Sequence, residues 1–180
     1  YRLACEASDI IAAIAPVAPP GLEVQPCEPT RAVPTFHIHG TADQCANYEG
    51  GDACGGCLHD YINELYPSLM IEPVTWPCAS IDTYVGAWRQ RRGCPESGEV
   101  TYTNGAASCT TWAPCADASE VTLCLVEDMG HTWPSGQHIE ICQTAPNHRA
   151  CTLWIDQVGT ISTDMDNDNI WQFFSRHQLP

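Results

Sequence analysis

Two short segments of this sequence place ionisable side chains directly after a run typical of a β-strand. His37-Ile-His39-Gly-Thr-Ala-Asp43 ends one run, and Glu127-Asp-Met-Gly-His131 ends another. The carboxyl ends of parallel strands meet at one edge of a sheet, so we expect these groups to lie together. An acid followed along the chain by a histidine is the order in which α/β-hydrolases supply the acid and base that activate a nucleophile. The sequence therefore predicts Asp43 as the acid and His131 as the base of a hydrolase triad.

The nucleophile that such a pair would activate is missing from the sequence. No G-x-S-x-G motif is present, and every serine lacks the glycines that the tight strand-to-helix turn requires. We therefore predict that the chain by itself is inactive. The serines excluded in this way are Ser8, Ser68, Ser80, Ser97, Ser108, Ser119, Ser135, Ser162 and Ser175.

The other histidines give weaker evidence for a function than His131 does. His37 and His39 alternate within a strand and so face the same side of it, which allows either a metal-binding pair or hydrogen bonds within the edge of the loop. The second interpretation is favoured, and we expect no metal ion or other cofactor. The remaining histidines are interpreted as ordinary surface or core residues: His59, His138, His148 and His177.

Composition narrows the class of protein. The chain has 180 residues, of which 12 are cysteines, and its 7 Lys+Arg against 22 Asp+Glu give a net charge of -15. That charge would repel phosphate backbones and anionic membrane surfaces, and no apolar run reaches the roughly 18 residues of a membrane span. So many scattered cysteines predict disulfides and hence an extracellular protein.

The pairing of the cysteines is only partly suggested by their positions. Cys54 and Cys57 have the C-x-x-C spacing of a redox dithiol or half a zinc site, but no second such motif supports either, and a structural loop crosslink is favoured. Cys109 and Cys124 fall opposite each other in a predicted antiparallel meander over 98–127. Proximity of flanking elements suggests two more pairs, although connectivity cannot be deduced from sequence: Cys94–Cys115 and Cys5–Cys27.

Periodicity places these residues in an α/β layered domain with a largely parallel sheet. Segments 44–77 and 136–157 are expected to be mostly irregular, and the carboxylates of Asp164–Asp168 favour capping of the last helix over a calcium loop. The predicted elements are helices over 1–9, 79–92 and 168–177 and strands over 10–18 and 33–39, besides the meander.

Several motifs resemble one family. HIHGTAD, GHTWP and ISTDMDNDNIWQFFSRH are similar to segments of the secreted α/β-hydrolases of the polyhydroxybutyrate depolymerase and feruloyl esterase-like group, and the resemblance covers nearly the whole chain. It implies that residues 1–180 are the C-terminal part of one three-layer domain with a mostly parallel sheet, a small antiparallel meander and several disulfides. By the same resemblance Asp43 is the triad acid and His131 the triad base. Trp133 lines the acyl or aromatic side of the cleft, and Tyr48 lies in a loop beside the acid.

The resemblance also implies a partner and a substrate class. YRLACE corresponds to the helix just after the nucleophile elbow, so the strand over 10–18 would expose an apolar edge to be covered by the missing N-terminal half or by neighbouring copies. A polyester or a feruloylated polysaccharide is the expected substrate. Ser135, the insertion at 136–157 and the extra cysteines at 44–57 depart from the family pattern and bear on substrate preference. The alternative is a non-catalytic extracellular module that assembles through this edge.

Overall fold

A computed structural model describes residues 1–23 and 25–179 of the chain. The helices are α1 (Arg2–Glu6), α2 (His59–Leu65), α3 (Ile81–Arg91), α4 (Glu140–Thr144), α5 (Arg149–Val158) and α6 (Asn167–Ser175). The strands are β1 (Thr35–Gly40), β2 (Gly51–Gly55), β3 (Thr75–Cys78), β4 (Glu99–Asn104), β5 (Ala107–Trp112) and β6 (Val121–Val126). No helix among the described residues is long and apolar enough to cross a bilayer.

The main sheet is small and mixed. Its strand order is β1-β6-β5-β4, in which β1 and β6 are parallel and the other two pairs are antiparallel. The expectation of a three-layer α/β-hydrolase fold with a mostly parallel sheet is therefore wrong. The meander supplies three of the four strands, and a meander can only pair antiparallel.

Residues 10–18, expected as a buried strand, form only two isolated parallel bridges to β1, Ile14 with Thr35 and Val17 with Ile38. The Ile14 amide donates to the Pro34 carbonyl at 3.0 Å and the Ala18 amide donates to the Ile38 carbonyl at 2.9 Å. Between them lies Pro16, which has no N–H to donate and so interrupts the ladder. The segment is extended and lies along β1, but it is not a regular strand.

The meander is present where the sequence predicts it. Gly105, with φ +54°, lies in the turn between β4 and β5, and Cys109 lies opposite Cys124 in the β5–β6 register and is disulfide-bonded to it. Helix α3 is also confirmed, with the Ser80 side chain accepting from the Thr83 amide at its N-terminus. The last helix begins after a capping box built by Asp166, the capping role expected for this acidic stretch.

All twelve cysteines are paired, in six disulfides. Cys54 and Cys57 are not joined to each other, since each bonds to a cysteine elsewhere in the chain. Disulfides in this number are typical of extracellular proteins. The pairs are Cys5–Cys27, Cys45–Cys57, Cys54–Cys78, Cys94–Cys115, Cys109–Cys124 and Cys142–Cys151.

Two segments that we expected to be irregular contain short elements. Strands β2 and β3 form a separate antiparallel pair, and α2 lies between them in sequence. Helix α2 packs against α5, with the rings of Tyr61 and Trp154 edge-to-face at 5.4 Å. These elements are short and held by disulfides, so their hydrophobic periodicity is too weak to reveal them in the sequence.

The core lies on both faces of the main sheet. One buried cluster joins α1 and α3 to the face that carries Val121 and Leu123, with Trp88 of α3 donating to the Thr35 hydroxyl at 3.2 Å. The other joins α6 to the opposite face, where Phe36 stacks on Phe173 with ring centroids 5.1 Å apart. Both clusters fix the orientation of β1, whose last residues lead into the candidate site.

Candidate active site

The ends of β1 and β6 meet closely enough to bring their following loops together. Gly40 ends β1, and a Cβ atom on this residue would lie 2.0 Å from the Met129 carbonyl oxygen, so only glycine fits. The Ala42 amide donates to the same Met129 carbonyl at 3.1 Å. The Gly130 amide in turn donates to the Thr160 carbonyl at 3.0 Å, which holds the segment leading to His131. These contacts place Asp43 and His131 side by side.

Asp43 is buried and its carboxylate is held from both sides. Its Oδ1 accepts from the backbone amides of Cys45 at 2.8 Å and Ala46 at 2.7 Å. Its Oδ2 accepts from His131 Nδ1 at 2.9 Å. The two hydrogen bonds from the backbone amides leave the carboxylate little freedom to rotate, so Oδ2 faces the imidazole.

The bond to Asp43 assigns the tautomer of His131. A carboxylate only accepts, so Nδ1 carries a proton, and in the neutral ring the lone pair is on Nε2. The His131 side chain is 39% exposed, whereas the Asp43 side chain is inaccessible to solvent. The arrangement is a buried acid hydrogen-bonded to a partly exposed histidine, the pairing that general-base catalysis uses.

No described hydroxyl side chain occupies the position of a nucleophile. Within residues 1–23 and 25–179, the side-chain hydrogen bond of His131 is the one to Asp43. Several serines have structural roles instead. Ser135 donates to the Met165 carbonyl, Ser119 donates to the Ala116 carbonyl, and Ser80 caps α3.

A metal ion does not fit this cluster. Ligand atoms of Asp43, Cys45 and His131 lie within 4.8 Å of one another. The Cys45 sulfur is bonded to Cys57, so it cannot bind a metal as a thiolate. One carboxylate and one imidazole remain, fewer than the ligands of a protein zinc site.

His37 and His39 lie buried on β1 and are linked by hydrogen bonds. His37 Nε2 lies 3.1 Å from His39 Nδ1, and His39 Nε2 lies 2.7 Å from the Ala46 carbonyl oxygen. His37 Nδ1 lies 2.6 Å from the Tyr1 hydroxyl. All four ring nitrogens therefore have partners within the protein, as in the hydrogen-bonding interpretation of this pair. Burial lowers the pKa of His39, and it lowers the pKa of His37 well below the ordinary value, so both rings are neutral.

Trp133 and Tyr48, the two residues predicted to bind substrate, differ in whether their side chains are available to a ligand. Trp133 follows His131 by two residues and is 49% exposed, with its indole N–H donating to Asn167 Oδ1 at 2.8 Å. Tyr48 donates its hydroxyl to Asp82 Oδ2 at 2.8 Å. Burial and this bond raise the pKa of Tyr48, so its hydroxyl is committed to a structural contact. Trp133 therefore offers the aromatic surface nearest in sequence to the base.

Sequence reasoning missed two groups at this site. The Tyr1 hydroxyl closes the chain of buried histidines, and the Ala46 backbone contacts both His39 and Asp43. Nothing in the residue types marks Ala46. The alternation of His37 and His39 on an otherwise apolar strand was the available signal for a buried polar group needing a partner such as Tyr1.

Comparison with known proteins finds similarity to an esterase. Feruloyl esterase B of Piromyces equi is 26% identical over 137 residues, which cover 74% of this chain and 22% of that protein. At this identity the similarity is distant. The chain spans less than a quarter of the relative's length. No protein-family model matches the chain, and no solved structure matches it.

Proposed function

We propose that this chain supplies the base and the acid of a serine-type carboxylic ester hydrolase. The observation that carries the proposal is the hydrogen bond between His131 Nδ1 and the buried Asp43 carboxylate, which leaves Nε2 available. The distant similarity to a feruloyl esterase supports the same chemistry. A serine outside this sequence would be the nucleophile.

The chemistry follows from this pair. His131 Nε2 takes the serine proton as the hydroxyl oxygen attacks the ester carbonyl, and Asp43 stabilises the imidazolium that forms. His131 then gives the proton to the departing alcohol, which leaves an acyl-serine. A water molecule, deprotonated by the same Nε2, releases the acid and restores the serine.

The edge formed by residues 10–18 is where we propose that the missing part of the enzyme binds. The hydrogen bonds of Ile14, Pro16 and Ala18 point toward β1, so the amides and carbonyls of the alternate residues point away from it. Ile10 at the start of this segment is 68% exposed. An extended strand from an N-terminal half of the same domain fits this open edge and would bring a strand-to-helix elbow near His131.

We propose an ester with an aromatic or aliphatic acyl group as the substrate. The exposed ring of Trp133 is anchored by its indole N–H and offers an apolar surface two residues after the base in sequence. A feruloylated polysaccharide and a polyester would both suit this surface. Secretion is consistent with the six disulfides, and either substrate is extracellular.

The decisive experiment is active-site labelling of the natural full-length protein with a fluorophosphonate probe. We expect a labelled serine and hydrolysis of methyl ferulate or 3-hydroxybutyrate oligomers. His131→Ala should abolish labelling. Asp43→Asn keeps an acceptor for the two loop amides but turns an NH₂ toward Nδ1, so the wrong tautomer should lower kcat about 10⁴-fold.

The matched control is His148→Asn at the exposed N-terminus of α5, which should leave labelling and turnover unchanged. Normal labelling of the His131→Ala protein would refute the assignment of the base. Circular dichroism and intact disulfides would show that each variant folds.

The open edge also supports a second function, a non-catalytic module that assembles with copies of itself. The amides and carbonyls of Ala13, Ala15 and Val17, which have no hydrogen bond among the described residues, would pair with a neighbouring chain. Light scattering distinguishes the two, because filaments or large oligomers without fluorophosphonate labelling would favour assembly. A discrete labelled species would exclude it.

A further inference from the structure

We infer that His39, held in place by His37 and Tyr1, is a positioning residue for the triad acid. The inference rests on the proposed function, because it assigns a role toward Asp43. The chain of hydrogen bonds runs from Tyr1 in α1's N-terminal cap through two histidines of β1 to the loop that carries Asp43. None of these three residues needs to contact the substrate.

The direction of every hydrogen bond in the chain follows from its last member. The Ala46 carbonyl only accepts, so neutral His39 carries its proton on Nε2 and accepts at Nδ1. Neutral His37 must then donate from Nε2 to His39 Nδ1 and accept at its own Nδ1. The Tyr1 hydroxyl donates to that nitrogen, and burial raises the pKa of Tyr1 well above its usual value, which keeps the proton on the phenol.

Ala46 connects this chain to the acid. Its carbonyl accepts from His39 Nε2 at 2.7 Å, while its amide donates to Asp43 Oδ1 at 2.7 Å. These two groups flank the Ala46 Cα, so His39 holds the residue whose amide holds the carboxylate. His39 Nε2 also lies 3.6 Å from Asp43 Oδ2, beyond hydrogen-bond length, with its N–H dipole beside the negative charge.

The chain of hydrogen bonds is buried at its two histidines and part-buried at Tyr1, which makes each bond costly to lose. His37 and His39 have no accessible surface, and the Tyr1 ring packs edge-on against Tyr84 and Trp88 with both centroids at 4.8 Å. An unpaired polar group in such a place is expensive, so the members are satisfied together or not at all. Displacing His39 would free the Ala46 backbone and let Asp43 turn away from His131.

The test compares His39→Phe with His39→Gln. Phenylalanine fills the ring space without a donor, whereas glutamine places an N–H near the position of Nε2. In this chain, we expect His39→Phe to speed hydrogen exchange of the Ala46 amide about 10-fold, the equivalent of one net hydrogen bond. The downfield proton signal of His131 Nδ1–H should broaden or disappear, and His39→Gln should restore both.

In the full-length enzyme, His39→Phe should lower kcat about 10- to 100-fold with KM unchanged, because only the orientation of the acid is lost. Tyr1→Phe removes a single hydroxyl and should give a smaller change of the same kind, even if His39→Phe folds poorly. Ile38→Val, at the buried neighbour on the other face of β1, should change neither the exchange rate nor the proton signal.

Unchanged Ala46 exchange and an unchanged His131 proton signal in folded His39→Phe would overturn the inference. These two readouts need no activity, so a protein that fails to hydrolyse esters would count against the proposed function and not against the positioning role. Loss of the signal without rescue by glutamine would also overturn it, since the donor would then not be what matters.

Discussion

Acidification should destabilise this protein through its two buried histidines. The folded state holds His37 and His39 neutral, because burial lowers the pKa of each. The unfolded chain takes up protons on both below its ordinary pKa of about 6.5. The stability that these neutral rings provide is therefore complete above pH about 6.5 and is lost as the pH falls toward the lowered folded pKa values.

The magnitude follows from proton linkage. Each histidine that stays neutral when folded costs about 1.4 kcal/mol of unfolding free energy per pH unit below its unfolded pKa. Between pH 7.5 and pH 5.5 the pair therefore removes at most about 2.7 kcal/mol. Tyr1, Asp43 and His131 are the ionisable groups that face the pair. The hydrogen bond to the Ala46 carbonyl and the charge of Asp43 oppose this loss, because both raise the pKa of His39.

Urea unfolding under non-oxidising, non-reducing conditions, followed by tryptophan fluorescence, measures this loss. The wild-type protein should lose more stability between the two pH values than a His37→Gln/His39→Gln double variant, by up to about 2.7 kcal/mol. Burial also lowers the pKa values of His138 and His177, but both proteins retain these residues and their effect cancels.

Ile38→Val is the control for a general loss of stability. It removes a buried methylene between the two histidines and should lower stability by about 1 kcal/mol at both pH values without changing the difference. Equal acid sensitivity in the wild type and the double variant would refute the reasoning. It would mean that the rings gain protons in the folded state.

Three further predictions concern residues that hold the candidate site and its surrounding elements in place. Asp166→Ala should lower the thermal stability by about 1 kcal/mol, because α6 loses its capping box. Replacing Cys45 and Cys57 together by serine should cost about 3 kcal/mol in urea unfolding and loosen the loop after Asp43, measured as faster amide exchange there. Gly40→Ala should weaken both stability and labelling of the full-length protein, since its Cβ would collide with the Met129 carbonyl; a wild-type melting temperature would contradict this.

Local chemistry accounts for much of what could be predicted from this sequence. Helix α3 has apolar residues at helical spacing and a serine cap, and the meander has a glycine turn between alternating runs, so neighbouring residues contain the signal. The opposition of Cys109 and Cys124 follows from the same local pairing. The short elements between Cys45 and Cys78 could not be predicted from the sequence. Disulfides hold them, so they do not need the strong hydrophobic periodicity by which an element is recognised.

The sequence by itself determined which groups could act: an acid and a histidine at the ends of two strands, and two histidines alternating on one of them. Only the tertiary structure decided that Asp43 and His131, 88 residues apart, are joined by a hydrogen bond, and that the sheet to which their strands belong is mixed. It also brought Tyr1 to His37. Such contacts depend on strand register and helix packing across the whole chain, which no local pattern of residues specifies.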